Sequence, residues 1–175
     1  MKVMTVLTTG LLAASLFGCG SQVAERSEIT TKRPPAKSEL TERLLTEYEH
    51  LKSQLAADRA VSGEEFKNIA EAAHAAAGAY TGEAKGHTDQ LASSAEAAAG
   101  KAGEGMAEAR DAFGEISRHL IALISAEPEL ASGHHVFECP MAKGYPKWVQ
   151  QSESVSNPYL GQEMATCGVA SEWRP

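Results

Sequence analysis

The sequence predicts an all-α domain: an up-and-down four-helix bundle with a small C-terminal cap containing short β-strands. Three observations predict it. Apolar residues recur at steps of three and four in four successive segments between residues 39 and 125, as amphipathic helices require. The breaks between those segments are short, which sets consecutive helices side by side. Aromatic residues make up only 6% of the chain while alanine is abundant, a composition suited to close-packed helices rather than a sheet sandwich.

The chain of 175 residues has room for one domain with a modest core and a tail. Residues 1–18 read as a signal peptide. Lys2 supplies its positive end, and Val3 to Phe17 form an apolar stretch too short for a membrane span. It ends Leu16-Phe17-Gly18-Cys19, the bacterial lipobox pattern, in which a small residue precedes the cysteine that takes the lipid. Residues 19–37 are polar, hold Pro34-Pro35 and lack an apolar period, so they are expected to form a lipidated flexible tether. Gly20 rather than aspartate follows Cys19, which in an enterobacterial sorting scheme favours the outer membrane. The expected location is therefore extracytoplasmic and lipid-anchored, in the periplasm. The formal net charge is −7, and removing residues 1–18 takes away one lysine and no acid. Such an acidic chain is a poor partner for nucleic acid.

Bundle and cap are expected over residues 38–173. The first helix should run from Glu39 to Ala57 with Ser38 as N-cap, burying Leu40, Leu44, Tyr48, Leu51 and Leu55. Ser62 with Glu65 three residues on forms a capping box for the second. Its inner face is Phe66, Ile69, Ala73, Ala76, Ala77 and Tyr80, with His74 beside it as a helix-surface histidine. The third helix is expected from Thr88 to Ala99, with only Leu91, Ala95 and Ala98 to bury, and is the weakest element. The fourth, Met106 to Ser125, buries Phe113, Ile116, Leu120, Leu123 and Ile124 and turns His119 outward. Gly114 costs about 1 kcal/mol against alanine in a helix, which points to a close neighbour there. Pro128 stops the helix.

The remaining stretch, His134 to Gly168, carries the chemistry. With Cys19 accounted for, Cys139 and Cys167 are the pair left from an odd count of three cysteines. His135, Phe137, Cys139 and Met141 alternate like one face of a short strand, and Pro140 would confine that strand to a sheet edge. A second short strand is expected within Thr166–Ala170. Asn157-Pro158 signals a turn, and Trp148 and Tyr159 are expected to anchor the cap. Cys139 and Met141 share a face if extended, and Met164 and Cys167 share one on a helical turn. Two thiols and two thioethers converging in this way form a soft donor set that favours Cu(I), with Ag(I) behaving similarly. His135 could add an imidazole from the same strand face.

The run Cys139-Pro140-Met141, then Trp148, Asn157-Pro158-Tyr159, Gly161, Met164, Cys167 and Gly168 resembles the signature of the DUF3347 family. These are small extracytoplasmic domains, also found fused to membrane-fusion proteins of heavy-metal efflux pumps. Tyr48, Leu51, Leu55 and Ala56 sit as in that family's first helix, and Ala107 to Leu123 looks like its last, so the resemblance covers roughly residues 38–170. The family's Gly-rich loop before the tryptophan is replaced here by Ala142 to Lys147. The resemblance implies copper or silver handling and a heavy-metal efflux partner.

No HExxH, phosphate-binding Gly-rich loop or GxSxG is present, so a binding protein rather than an enzyme is expected. Cys139 with His135 as base lacks an oxyanion hole and an orienting third group. Two readings remain. In the first, Cys139 and Cys167 are thiolate ligands to Cu(I), helped by Met141, Met164 and His135. In the second there is no metal, and a Cys139–Cys167 disulfide closes a loop of roughly 28 residues, stabilising the cap by ~3–4 kcal/mol. Spacing alone leaves them level, and the resemblance favours metal. The two combine in a redox-gated site whose oxidation releases the metal.

Overall fold

The computed structural model describes residues 33–101, 103 and 105–175. The expected signal peptide, Cys19 and residues 20–32 of the tether lie outside the described residues. Four helices follow: α1 (Lys37–Ala56), α2 (Gly63–Ala77), α3 (Gly82–Ala99) and α4 (Met106–Ala126). Each packs on the next, and α4 closes back on α1. No helix among the described residues is long and apolar enough to cross a membrane.

The apolar stripes are buried as the spacing requires. Leu44, Tyr48, Leu51 and Leu55 meet Phe66 and Ile69, and α4 contributes Phe113, Ile116, Leu120, Leu123 and Ile124. Leu40 is only half-buried. Ser62 caps α2 as expected: its hydroxyl accepts from the Glu64 N–H at 3.2 Å, and its own N–H donates to the Glu65 carboxylate at 3.0 Å. His74 is exposed and pairs with Glu96 across the α2–α3 surface at 2.8 Å.

Three boundary and surface expectations need correction. Ser38 is not the N-cap of α1. The helix starts at Lys37 with Ala36, which follows Pro34-Pro35, as N-cap, and the Glu39 carboxylate folds back to accept the Ala36 N–H at 3.1 Å. Helix α3 starts six residues before Thr88. Gly82, at φ +58°, turns the chain into it, and the Thr88 hydroxyl donates to the Ala84 carbonyl at 2.7 Å on a buried small-residue face. Small residues gave that first turn no apolar period to read. His119 is half-buried rather than outward, and burial, reinforced by His87 and Arg118 against the pull of Glu115, lowers its pKa.

After α4, Pro128 opens a 3₁₀ turn to Ala131, and the cap begins. It is a three-stranded antiparallel sheet, β1 (His135–Glu138), β2 (Lys147–Gln150) and β3 (Val169–Ala170), in the order β2-β1-β3. Strand β1 is therefore central, not an edge. Pro140 falls beyond it, in a turn closed by the Ala142 N–H donating to the Cys139 carbonyl at 3.0 Å, so its missing N–H costs the ladder nothing. Strand β2 had no sequence signal beyond Trp148. It seats the sheet on α4, and the Tyr48 hydroxyl ties α1 to it by accepting the Val149 N–H at 3.1 Å while bonding Ser117 at 2.7 Å.

Trp148 and Tyr159 anchor the cap as expected. An aromatic chain runs from α1 to the sheet: Tyr48 to Phe113 at 5.0 Å, Phe113 to Tyr159 at 5.8 Å, Tyr159 to Trp148 at 5.9 Å, Trp148 to Phe137 at 5.8 Å. The close neighbour of Gly114 is Tyr145, whose Cβ lies 3.4 Å from where a side chain would begin.

Candidate metal centre

The two cysteines reach one place by different routes. Cys139 directly follows β1, and its N–H donates to the Pro146 carbonyl at 3.1 Å. Cys167 arrives on the loop 157–167, which Asn157 holds shut from inside. The buried Asn157 carboxamide oxygen accepts the Tyr159 and Leu160 N–H groups at 2.8 and 3.0 Å, and its amide donates to the Cys167 carbonyl at 2.7 Å. Gly168 then passes under Trp148, leaving no room for a side chain: a Cβ there would lie 2.7 Å from the indole.

That loop is clamped to the ends of two helices. Arg110 of α4 donates to the Pro158 carbonyl at 3.0 Å, to the Leu55 carbonyl at 3.2 Å and to the Asp58 carboxylate. Asp58 also accepts the Gln162 N–H at 2.9 Å, and the Gln162 side chain donates to the Ala56 carbonyl at 2.8 Å. Gly161, at φ +54°, lies directly on this cluster.

Both thiols are free, with Cys139 fully covered and Cys167 half-buried. Burial alone would push the Cys139 thiol up. Hydrogen bonds from the Cys167 thiol, the Met141 N–H, the Asn157 amide and the Ala142 N–H outweigh it and hold the group below its ordinary value. Cys167 moves the opposite way, because its proton is engaged on the Cys139 sulfur and because burial and that neighbouring charge oppose a second thiolate.

The other expected ligands fare differently. Met164 is half-buried at the end of a 3₁₀ turn, Gly161–Met164, and its carbonyl accepts the Cys167 N–H at 2.9 Å, so it shares a turn with Cys167 as the spacing suggested. Met141 does not extend the face of Cys139. The Cys139–Ala142 turn intervenes and leaves Met141 62% exposed. His135 opens β1, four residues and roughly 13 Å of strand from Cys139, and packs beside Phe137 instead. The extended-strand argument failed for Met141 because Pro140 bends the chain one residue after the cysteine, and for His135 because the length of β1 separates it from Cys139. Sequence reasoning also missed the Arg110–Asp58 clamp and the sulfur-facing N–H groups, which have no side-chain signature.

Chemically, two adjacent sulfurs suit an ion content with two soft donors. Among the described residues no group of three or more His, Cys, Asp or Glu side chains gathers to hold a metal. No family model, curated protein or solved structure matches the chain.

The clamp carries a pH dependence. The Gln162 N–H, then Arg110, hold the Asp58 carboxyl below its ordinary value of 3.8. A depressed carboxylate contributes stability above its unfolded pKa and loses it as pH falls through the folded one. Acidification below that ordinary value should therefore loosen the 157–167 loop, and Asp58→Asn should remove this component. Tryptophan fluorescence followed down to pH 2 or so tests it. Identical acid profiles for variant and parent would show that Asp58 has no part in docking the loop.

Proposed function

We propose that the chain is a lipid-anchored extracytoplasmic protein that holds one Cu(I), or Ag(I), between the Cys139 and Cys167 thiolates. It buffers the ion or passes it to an efflux system. The observation that carries this is that the sheet brings the two free cysteines to neighbouring segments: Cys139 directly follows β1, and Cys167 lies two residues before β3, which pairs with it. Cu(I) accepts two such ligands, and Met164 is the nearest candidate for a third. Met141 and His135 leave the first set of ligands. The lipobox at Cys19 supports the anchor, and the resemblance of the C-terminal motif supports both the metal and a heavy-metal efflux membrane-fusion protein as partner. A stabilising Cys139–Cys167 disulfide is the second reading, favoured by the same juxtaposition.

An anaerobic competition titration with a chromophoric Cu(I) chelator separates them. Reduced protein should bind one equivalent, and air-oxidised protein should not. Either cysteine-to-serine change should weaken binding by about a hundredfold or more, Met164→Leu by about tenfold, and Met141→Leu hardly at all, since charged thiolates are the stronger donors. Zinc should compete poorly, having only two thiolates to bind. If reduced wild type competes no better than the double serine variant, the metal reading fails. Loss of an acyl label in Cys19→Ala tests the anchor.

A further inference from the structure

A cavity of about 600 Å³ lies beside α4, and neither cysteine lines it. That volume falls within the range of small-molecule sites. Small side chains leave the space. Ala98 of α3 and Ala109 and Ala112 of α4 line it where larger residues would close the seam, and the buried Phe66 lines it from α2. Tyr145 lines it from the cap. Gly114 has no side chain to hold Tyr145 off α4, and the Arg118 guanidinium lies over the Tyr145 ring at 5.0 Å, so this wall is fixed. The charges around the cavity have both signs. Glu108 and Asp111 line it three residues apart on one face of α4, and both are exposed. Lys143 lines it from the cap loop and Lys101 from the end of α3, and they are exposed too. Glu115 also lines it but is already paired with Arg118 at 3.2 Å. Among the described residues Asp111 and Lys143 have no ion-pair partner.

We infer that this cavity binds a zwitterionic amphiphile: an apolar body with one ammonium group, met by Glu108 and Asp111, and one acid group, met by Lys143 and Lys101. A simple anion is opposed by the α4 carboxylates, and a simple cation by the two lysines. A molecule with both charges finds an opposite charge for each. Its apolar body removes the half-buried Ala109 and Ala112 from water, which supplies the non-directional part of the attraction. Two sources share this chemistry: a short apolar peptide with free ends, and a lipid with a phosphoethanolamine headgroup. The inference is independent of the copper reading, since the site uses neither sulfur and concerns the metal-free protein.

The test is a calorimetric titration of the full chain with Cys19→Ser, metal-free, with two probes in separate arms. One is trileucine. The other is lauroyl lysophosphatidylethanolamine, kept below its micellar concentration. At least one should bind one to one, and the tighter of the two identifies the source. Ala112→Leu puts a larger side chain into the cavity at a position where a helix accepts leucine, and should weaken binding about tenfold or more. Asp111→Asn and Lys143→Gln, both at exposed positions, should each weaken it about two- to fivefold, the worth of an exposed ion pair. N-acetylating the ligand removes its positive charge. It should weaken binding to the parent and abolish the effect of Asp111→Asn, which a merely structural role for Asp111 would not do. Three results would overturn the proposal: neither probe binding at millimolar concentration, binding undiminished by Ala112→Leu, or the N-acetylated ligand binding as well as the free one. Cu(I) affinity should be unchanged in Ala112→Leu, so failure here and failure of the copper reading are told apart by the chelator titration.

Discussion

Trp148→Ala is expected to cost about 3–5 kcal/mol, the range for deleting a fully buried large aromatic. Trp148 is 0% exposed and touches every layer of the cap. It stacks on Phe137 of β1, meets Tyr159 edge-on, donates its indole N–H to Gln150 at 2.9 Å and covers Gly168. Alanine leaves a cavity and strands the Gln150 oxygen with one fewer donor. The helices also pack directly on one another, α1 on α2, α2 on α3 and α3 on α4, through contacts that do not involve Trp148. Helical circular dichroism should therefore survive while near-UV signal and Cu(I) binding fall together. Trp148→Phe should lose less, since it keeps the stacking. A variant that melts within a degree or two of the parent would show that the cap is held by something other than this chain of rings.

Gly161→Ala should have the next largest effect, about 2–4 kcal/mol, combining the strain of a left-handed backbone with loss of the clamp. The added Cβ would overlap the Asp58 carboxylate and the Arg110 guanidinium, which must swing away and give up their bonds to each other and to Gln162. The loop would then hold Cys167 less firmly. Cu(I) affinity should drop with both cysteines intact, and the thermal transition of the cap should separate from that of the bundle. Arg110→Met, which removes only the arginine's bonds and adds no backbone strain, should show a smaller version of both changes. Unaltered affinity in Gly161→Ala would mean that the clamp does not position the sulfur pair.

The fold was legible in the helices because a 3.6-residue period of Leu, Ile, Phe and Tyr leaves little choice of buried face. It was less legible where size rather than hydropathy does the packing. The first turn of α3, Gly82 to His87, buries Ala84 but offers no large apolar residue, and its two glycines read as a break. Buried Lys52 was hidden for a related reason: its charge suggests solvent, while its pairing with Glu49 at 2.7 Å lets the helix cover it. In the site, the cysteines and Trp148 were readable as residues but not as a geometry. Alternation placed Met141 and His135 with Cys139 on one face, and that holds only while the chain stays extended. A proline after the cysteine ended the extension for Met141, while His135 stayed on the strand but a strand's length away. The backbone donors around Cys139 depend on the turn that followed.

Sequence separation within the cap also sets an order of events. The bundle grows from neighbours along the chain, α1 with α2, α2 with α3, α3 with α4. The bonds that seat the cap join residues about a hundred positions apart: Tyr48 to Val149, Asp58 to Gln162, Ala56 to Gln162. Contacts that distant form late, after the entropy of the intervening chain has been reduced by the helices. Cys139 and Cys167 therefore stay apart, as two independent thiols, until the last stage of folding. During that interval the nascent chain has no shielded sulfur and no paired donors, so protection from stray oxidation begins only when the loop closes on Arg110.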